Sequence, residues 1–143
     1  MSAERLYTPQ MLAAAVELAG FPPLEDAQFV GSARSAACGS TLEMDLSLDD
    51  TGHITRLGMK VRACAVGQAA AAIFARHAVG KGRDEMTAAL EALTAWLEND
   101  GSQPDWPDVT LIAPAKDYAG RHGAMLLPWK AAVAALSTAA EAG

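Results

Sequence analysis

The sequence is short of several things, and each shortage removes a class of protein. Eleven Lys and Arg residues stand against seventeen Asp and Glu, a formal charge of -6, and no run of basic residues forms the stripe that a phosphate backbone requires. Nucleic acid is therefore not an expected partner. The longest unbroken apolar run, Ala69 to Ala75, falls far short of the roughly 20 residues that cross a bilayer, so no membrane span is expected. The opening residues MSAERLYTPQ have neither the basic start nor the apolar core of a secretory signal, and a cytoplasmic location is expected. Only two cysteines are present, and in a reducing cytosol they are thiols rather than a structural bridge. No phosphate-cradling glycine loop, nucleophile–base arrangement or paired carboxylates at a motif spacing is found, so the chain is not expected to be an enzyme.

What is present is alanine and alternation. At 143 residues the chain suits one domain, which buries roughly two thirds of its unfolded surface. Thr8 and Pro9 open a helix over residues 8–19, with Met11, Leu12, Ala15, Val16 and Ala19 at helical spacing, and Gly20 and Pro22-Pro23 close it. A first strand is expected from Phe29 to Ala37. The clearest period-two signal is Thr41 to Asp49, where Leu42, Met44, Leu46 and Leu48 alternate with polar residues. Asp50, Thr51 and Gly52 supply a turn, and Leu57, Met59, Val61 and Ala63 alternate on the return. Ile54 is out of phase with Leu57, which requires a bulge near Thr55.

After Ala63 the period becomes helical, with Val66, Ala69, Ala70, Ile73 and Phe74 on one face, so a helix starts at or just after Cys64. Gly80-Lys81-Gly82 ends it. Met86, Leu90, Leu93 and Leu97 mark another helix to about Glu98, and Trp129, Val133 and Leu136 mark a last one over 125–140. Residues 109–118 are ambiguous, because Pro114 interrupts them. No repeat or second domain is seen, and 1–143 is expected to be a single domain.

Chemistry concentrates at the cysteines. Cys38 precedes the alternating strand and is followed by Gly39, which lets a bound group approach the backbone. Cys64 begins a helix, where free N–H groups suit an anionic ligand. A chain that runs out along one strand and back along the next brings these two positions together. His53 reads as a solvated hairpin residue and His77 as a complement to a helix dipole, while Trp96, Trp106 and Trp129 read as core aromatics.

The stretch AACGSTLEMDLSLDDTGHITRLGMKVRACAVGQAAAAIFARHAVGKG resembles the central block of the U-type iron-sulfur cluster scaffolds, which include IscU, SufU and the N-terminal domain of NifU. RHGAMLLPWKAAVAAL is similar to the SufU-type pattern Arg-x-x-Cys, Leu-x-Trp and closing helix, so the resemblance covers residues 8–140. It implies an α+β fold of SufE/NifU-like type, a three-stranded antiparallel sheet packed against four to five helices. It also implies a cluster site at Cys38 and Cys64, binding iron or a labile [2Fe-2S] cluster. A cysteine desulfurase and recipient apoproteins are the implied partners, and zinc is a less favoured ligand.

Part of the family's ligand set is absent. Its acidic residue after Cys-Gly corresponds to Ser40, its third cysteine to Ala124, and the residue before that cysteine to Gly123. His122 is a further candidate metal ligand from the same loop. Ser40 is a poor ligand for soft metals and is expected to make a local turn hydrogen bond. Two readings follow: a scaffold or carrier completed by a homodimer, or a degenerate relative that accepts persulfide sulfur or regulates a desulfurase.

Overall fold

The computed structural model describes residues 6–142. The part of the leader reading that falls on residues 1–5 lies outside the described residues. Helix α1 spans Pro9–Val16 and continues as a 3-10 turn over Glu17–Gly20; strands β1, β2 and β3 span Phe29–Arg34, Thr41–Leu48 and Ile54–Arg62. Helices α2, α3 and α4 then span Ala65–Ala78, Arg83–Glu98 and His122–Ala142, with 3-10 segments at Val109–Asp117 and Ala119–Arg121. The strands form one antiparallel sheet in the order β1-β2-β3, and the architecture is α+β as expected.

Alternation decides which side of the sheet is inside. Leu42, Met44 and Leu46 of β2 and Leu57 and Met59 of β3 are buried on the helix-bearing side. Helix α4 crosses β1 so closely that a side chain at Gly31 would collide with the Ala131 carbonyl oxygen and the Ala135 backbone nitrogen. On the other side, the segment after α1 wraps over the hairpin. Phe21 O accepts from Met59 N at 3.0 Å, and Leu24 N donates to Asp45 Oδ2 at 3.0 Å. The bulge falls where the phase of Ile54 and Leu57 requires it: Ser47 pairs with Arg56 and Leu48 with Ile54, leaving Thr55 extra, its hydroxyl donating to Ser47 O at 3.1 Å.

The structure differs from the sequence expectation in four elements. Thr8 Oγ1 does cap α1, accepting from Met11 N at 3.1 Å, but Met11 and Ala14 are the buried residues, while Leu12 and Val16 are 44% and 76% exposed. Met11, Ala14, Ala15 and Leu18 form one i, i+3, i+4, i+7 stripe, and Leu12 and Val16 lie a helical step away from it. Strand β1 ends at Arg34 rather than Ala37, because residues 35–40 close into a turn. Helix α2 is buried nearly all round, not on one face: its alanines let α1, α4 and the sheet all pack closely. Helix α4 begins at His122 instead of Met125, which brings residues 123 and 124 into its first turn.

The three aromatic groups nearest the centre pack as a unit. Phe74 stacks on Trp106 with centroids 5.5 Å apart, and Trp129 meets both edge-on. Trp106 Nε1 donates to Ile73 O at 3.2 Å, whereas Trp129 Nε1 has no hydrogen-bond partner among the described residues. Residues 109–117, ambiguous in sequence, form a 3-10 segment that accommodates Pro114 and buries Val109, Ile112 and Ala115. No helix among the described residues is long and apolar enough to cross a membrane.

Candidate functional site

Cys38 sits in the turn that joins β1 to β2. The turn is closed by Ser35 N donating to Ser40 O and Gly39 N donating to Ser35 O, each at 2.8 Å, and Gly39 takes the left-handed φ of 72° that the reversal needs. The thiol lies between two serine hydroxyls and donates to that of Ser35. Cys38 Sγ lies 3.3 Å from Ser35 Oγ and 3.1 Å from Ser40 Oγ, and Ser40 is buried. The Ser35 hydroxyl above all, then the Ser40 hydroxyl and backbone N–H, hold the Cys38 thiol below its usual range; burial opposes them, and the Arg121 charge adds a lesser lowering effect.

Cys64 is the N-cap of α2, with extended backbone and no side-chain cap bond; Gln68 N donates to its carbonyl at 3.0 Å. Strand pairing explains why the two cysteines share one end of the sheet. Thr41 pairs with both Arg34 and Arg62, so the turn before Thr41 and the segment after Arg62 leave the sheet side by side. Both thiols are free and half-buried.

The start of α4 docks on both cysteine elements. Gly123 lies against Ser35, where any side chain would displace the serine hydroxyl, and fully buried Ala124 packs toward Gly67 in the first turn of α2. Arg121, just ahead of that helix, donates to Tyr7 Oη at 3.5 Å. That bond first, and the nearby charges of Cys64 and Cys38 as well, favour its protonated form still further. Arg121 is thus a cation whose charge is felt at this end of the sheet.

The other candidates are engaged elsewhere. Ser40 makes the local turn bond expected of it and also serves the thiol. His122 Nε2 donates to the Lys116 carbonyl at 2.5 Å. His53 bonds Thr51 at the opposite end of the hairpin, and His77 bonds Asp108 at 2.7 Å. Among the described residues, no group of three or more His, Cys, Asp or Glu side chains is placed to hold a metal ion. A tetrahedral zinc site needs four donors, and the described residues do not assemble them. Ser35 and Arg121 were not among the sequence candidates. Their signals were a serine three residues before Cys38 and the arginine of the Arg-x-x-Cys-like stretch.

The N-terminal domain of a nitrogen-fixing NifU-like protein from Brucella abortus has 30% identity to this chain, covers 98% of both chains and superposes with a TM-score of 0.89. The chain belongs to the U-type iron-sulfur cluster scaffold family. The same fold recurs in a protein assigned as the iron-sulfur cluster assembly scaffold of the SUF system of Fervidobacterium islandicum, at 19% identity, 94% and 99% coverage and a TM-score of 0.81. A hypothetical protein at 15% identity shares it at a TM-score of 0.66 over 89% of this chain and 96% of its own. No family model matches the chain, and no curated protein does so significantly. Cys38, Ser40, Cys64 and Ala124 all gather at one end of the sheet.

Proposed function

We propose that this chain works in iron-sulfur cluster assembly as a scaffold-type domain whose chemical step is the uptake of sulfur on Cys38. The observation that carries the reading is the Ser35–Cys38–Ser40 turn, which holds a thiol between two hydroxyls, and the Arg121 charge acts in the same direction. Such surroundings favour the thiolate, which is the nucleophile. The donor is a cysteine desulfurase carrying persulfide sulfur. Cys38 thiolate attacks the outer sulfur, the donor's S–S bond breaks, and the donor cysteine leaves as thiolate while a new S–S bond forms on Cys38. No net electrons are gained or lost. The hydroxyls and Arg121 stabilise the negative charge before and after transfer. The domain is then a carrier in the cytosol, not a catalyst, and recipient apoproteins lie downstream.

A second reading is favoured by the position of Cys64 at the same sheet end. A [2Fe-2S] cluster bound by protein alone takes four donors. One chain offers two thiols, so iron or a cluster, as cargo, is held by Cys38 and Cys64 of two copies.

The test is anaerobic incubation of the reduced protein with cysteine and a cysteine desulfurase, followed by peptide mass spectrometry. The expected result is one added sulfur on Cys38, retained in Cys64→Ser and lost in Cys38→Ser. Sulfur found only on Cys64, or nowhere, sinks the sulfur-uptake reading. Reconstitution with iron and sulfide separates the second reading: a visible chromophore accompanied by a doubling of mass, abolished by either substitution, supports the shared cluster.

A further inference from the structure

The cations of this acidic chain are unevenly used. Among the described residues, Arg56 pairs with Asp26, Arg76 with Glu17 and Asp108, and Lys116 with Asp100, while Lys81 lies over the Trp106 ring. Exposed Arg34, Lys60 and Arg62 make no ion pair among those residues, nor do Arg83 and Lys130, which lie on separate helices, although acidic groups outnumber basic ones seventeen to eleven.

Strand register collects the first three on one face. Arg34, Thr41 and Arg62 form one cross-strand row, and Ser32, Glu43 and Lys60 form the next. Residues two apart share a face, and this one is the outward side, opposite the side that packs on α4. The two rows line a shallow groove of about 530 Å³. Lys60 and Arg62 are about 7 Å apart along the strand, and Arg34 is two strand spacings, roughly 10 Å, from Arg62. These separations lie within about one Debye length at ordinary ionic strength, so the cations repel one another, and Glu43 offsets only part of that repulsion.

The face also borders the thiols. Arg34 is the last residue of β1 before the Cys38 turn, and Arg62 is the last of β3, two residues before Cys64. We infer that this basic face is the docking surface for a carboxylate-rich face of the protein that delivers sulfur to Cys38, an inference that rests on the sulfur-uptake reading above. A nucleic acid is a poorer fit, because three cations on a chain of charge -6 neutralise too few phosphates.

Binding of purified cysteine desulfurase is measured by biolayer interferometry at low and high ionic strength, with circular dichroism to verify that each variant is folded. Reversing the face with R34E, K60E and R62E together is expected to weaken association at low salt about tenfold or more, chiefly through the on-rate. The native chain should lose affinity as salt rises and the reversed variant should not, whereas Glu43→Gln should bind more tightly. Loading of Cys38 by free cysteine persulfide, which needs no docking, should be equal in native and reversed chains. The proposal is overturned if the reversed variant binds like the native chain, if native affinity ignores salt, or if the native chain does not bind. Salt-dependent docking with no sulfur on Cys38 from either donor sinks the sulfur-uptake reading and leaves the docking face standing.

Discussion

The two ends of the sheet are built on opposite principles. At the β2–β3 turn three side chains answer one another: Asp49 Oδ1 accepts from Thr51 N, Thr51 Oγ1 and His53 N, and His53 Nδ1 meets the Thr51 hydroxyl. At the cysteine end the hydroxyls of Ser35 and Ser40 flank one thiol, the charge of Arg121 favours its thiolate, and Arg34, Lys60 and Arg62 have no ion pair among the described residues. One end closes the chain, and the other gathers two free thiols and three cations that make no ion pair among the described residues. Thiols and unpaired cations gathered at one end of a sheet are the groups with which a chain can meet something else.

Four substitutions break or sharpen this contrast, in order of expected effect. Phe74→Ala removes the ring shared by Trp106 and Trp129 and should lower stability by about 3–5 kcal/mol, so that both ends of the sheet melt together in a thermal scan. Gly123→Ala pushes on Ser35 and should cost about 1–3 kcal/mol by overpacking; addition of Ser35→Gly should recover part of it, as read by denaturant titration.

Ser35→Ala with Ser40→Ala should leave the fold in place but move the pH profile of Cys38 alkylation upward, because the donors that lower its pKa are gone. An unmoved profile would mean that the hydroxyls do not stabilise the thiolate. The smallest effect is at the other end. Bonds from His53 N first and Thr51 next lower the Asp49 pKa from its ordinary 3.8, so its stabilisation is complete above that value and is lost as pH falls through the lower folded one. Asp49→Ala should therefore lower the melting temperature slightly at neutral pH, and the difference from the native chain should vanish in strong acid.

Legibility in the sequence followed the range of the interactions. The β2–β3 hairpin was readable down to its bulge, because the period-two pattern of Leu42, Met44 and Leu46 and the phase break between Ile54 and Leu57 are local. The start of α2 after Cys64 was readable from the change of period. The exposure of Leu12 and Val16 was not, since two apolar stripes on α1 compete and only contact with α2 selects the one containing Met11 and Ala14. The early end of β1 was also hidden: Ser35 and Ser40 close the turn with each other, and either serine alone suits strand or turn. In the candidate site, Cys38 and Cys64 stood out as the chain's only thiols, whereas Ser35 and Arg121 acquire meaning only once the start of α4 packs on the Cys38 turn.

The sequence by itself therefore determined the fold class, the hairpin and which residues carry thiols, because these follow from periodicity, turn chemistry and composition. Tertiary structure alone decided what surrounds the sulfur. Gly123 meets Ser35 across most of the chain, and Arg34, Lys60 and Arg62 become one face only when three strands are paired. Such juxtapositions are fixed by packing between distant segments, and no local pattern encodes them.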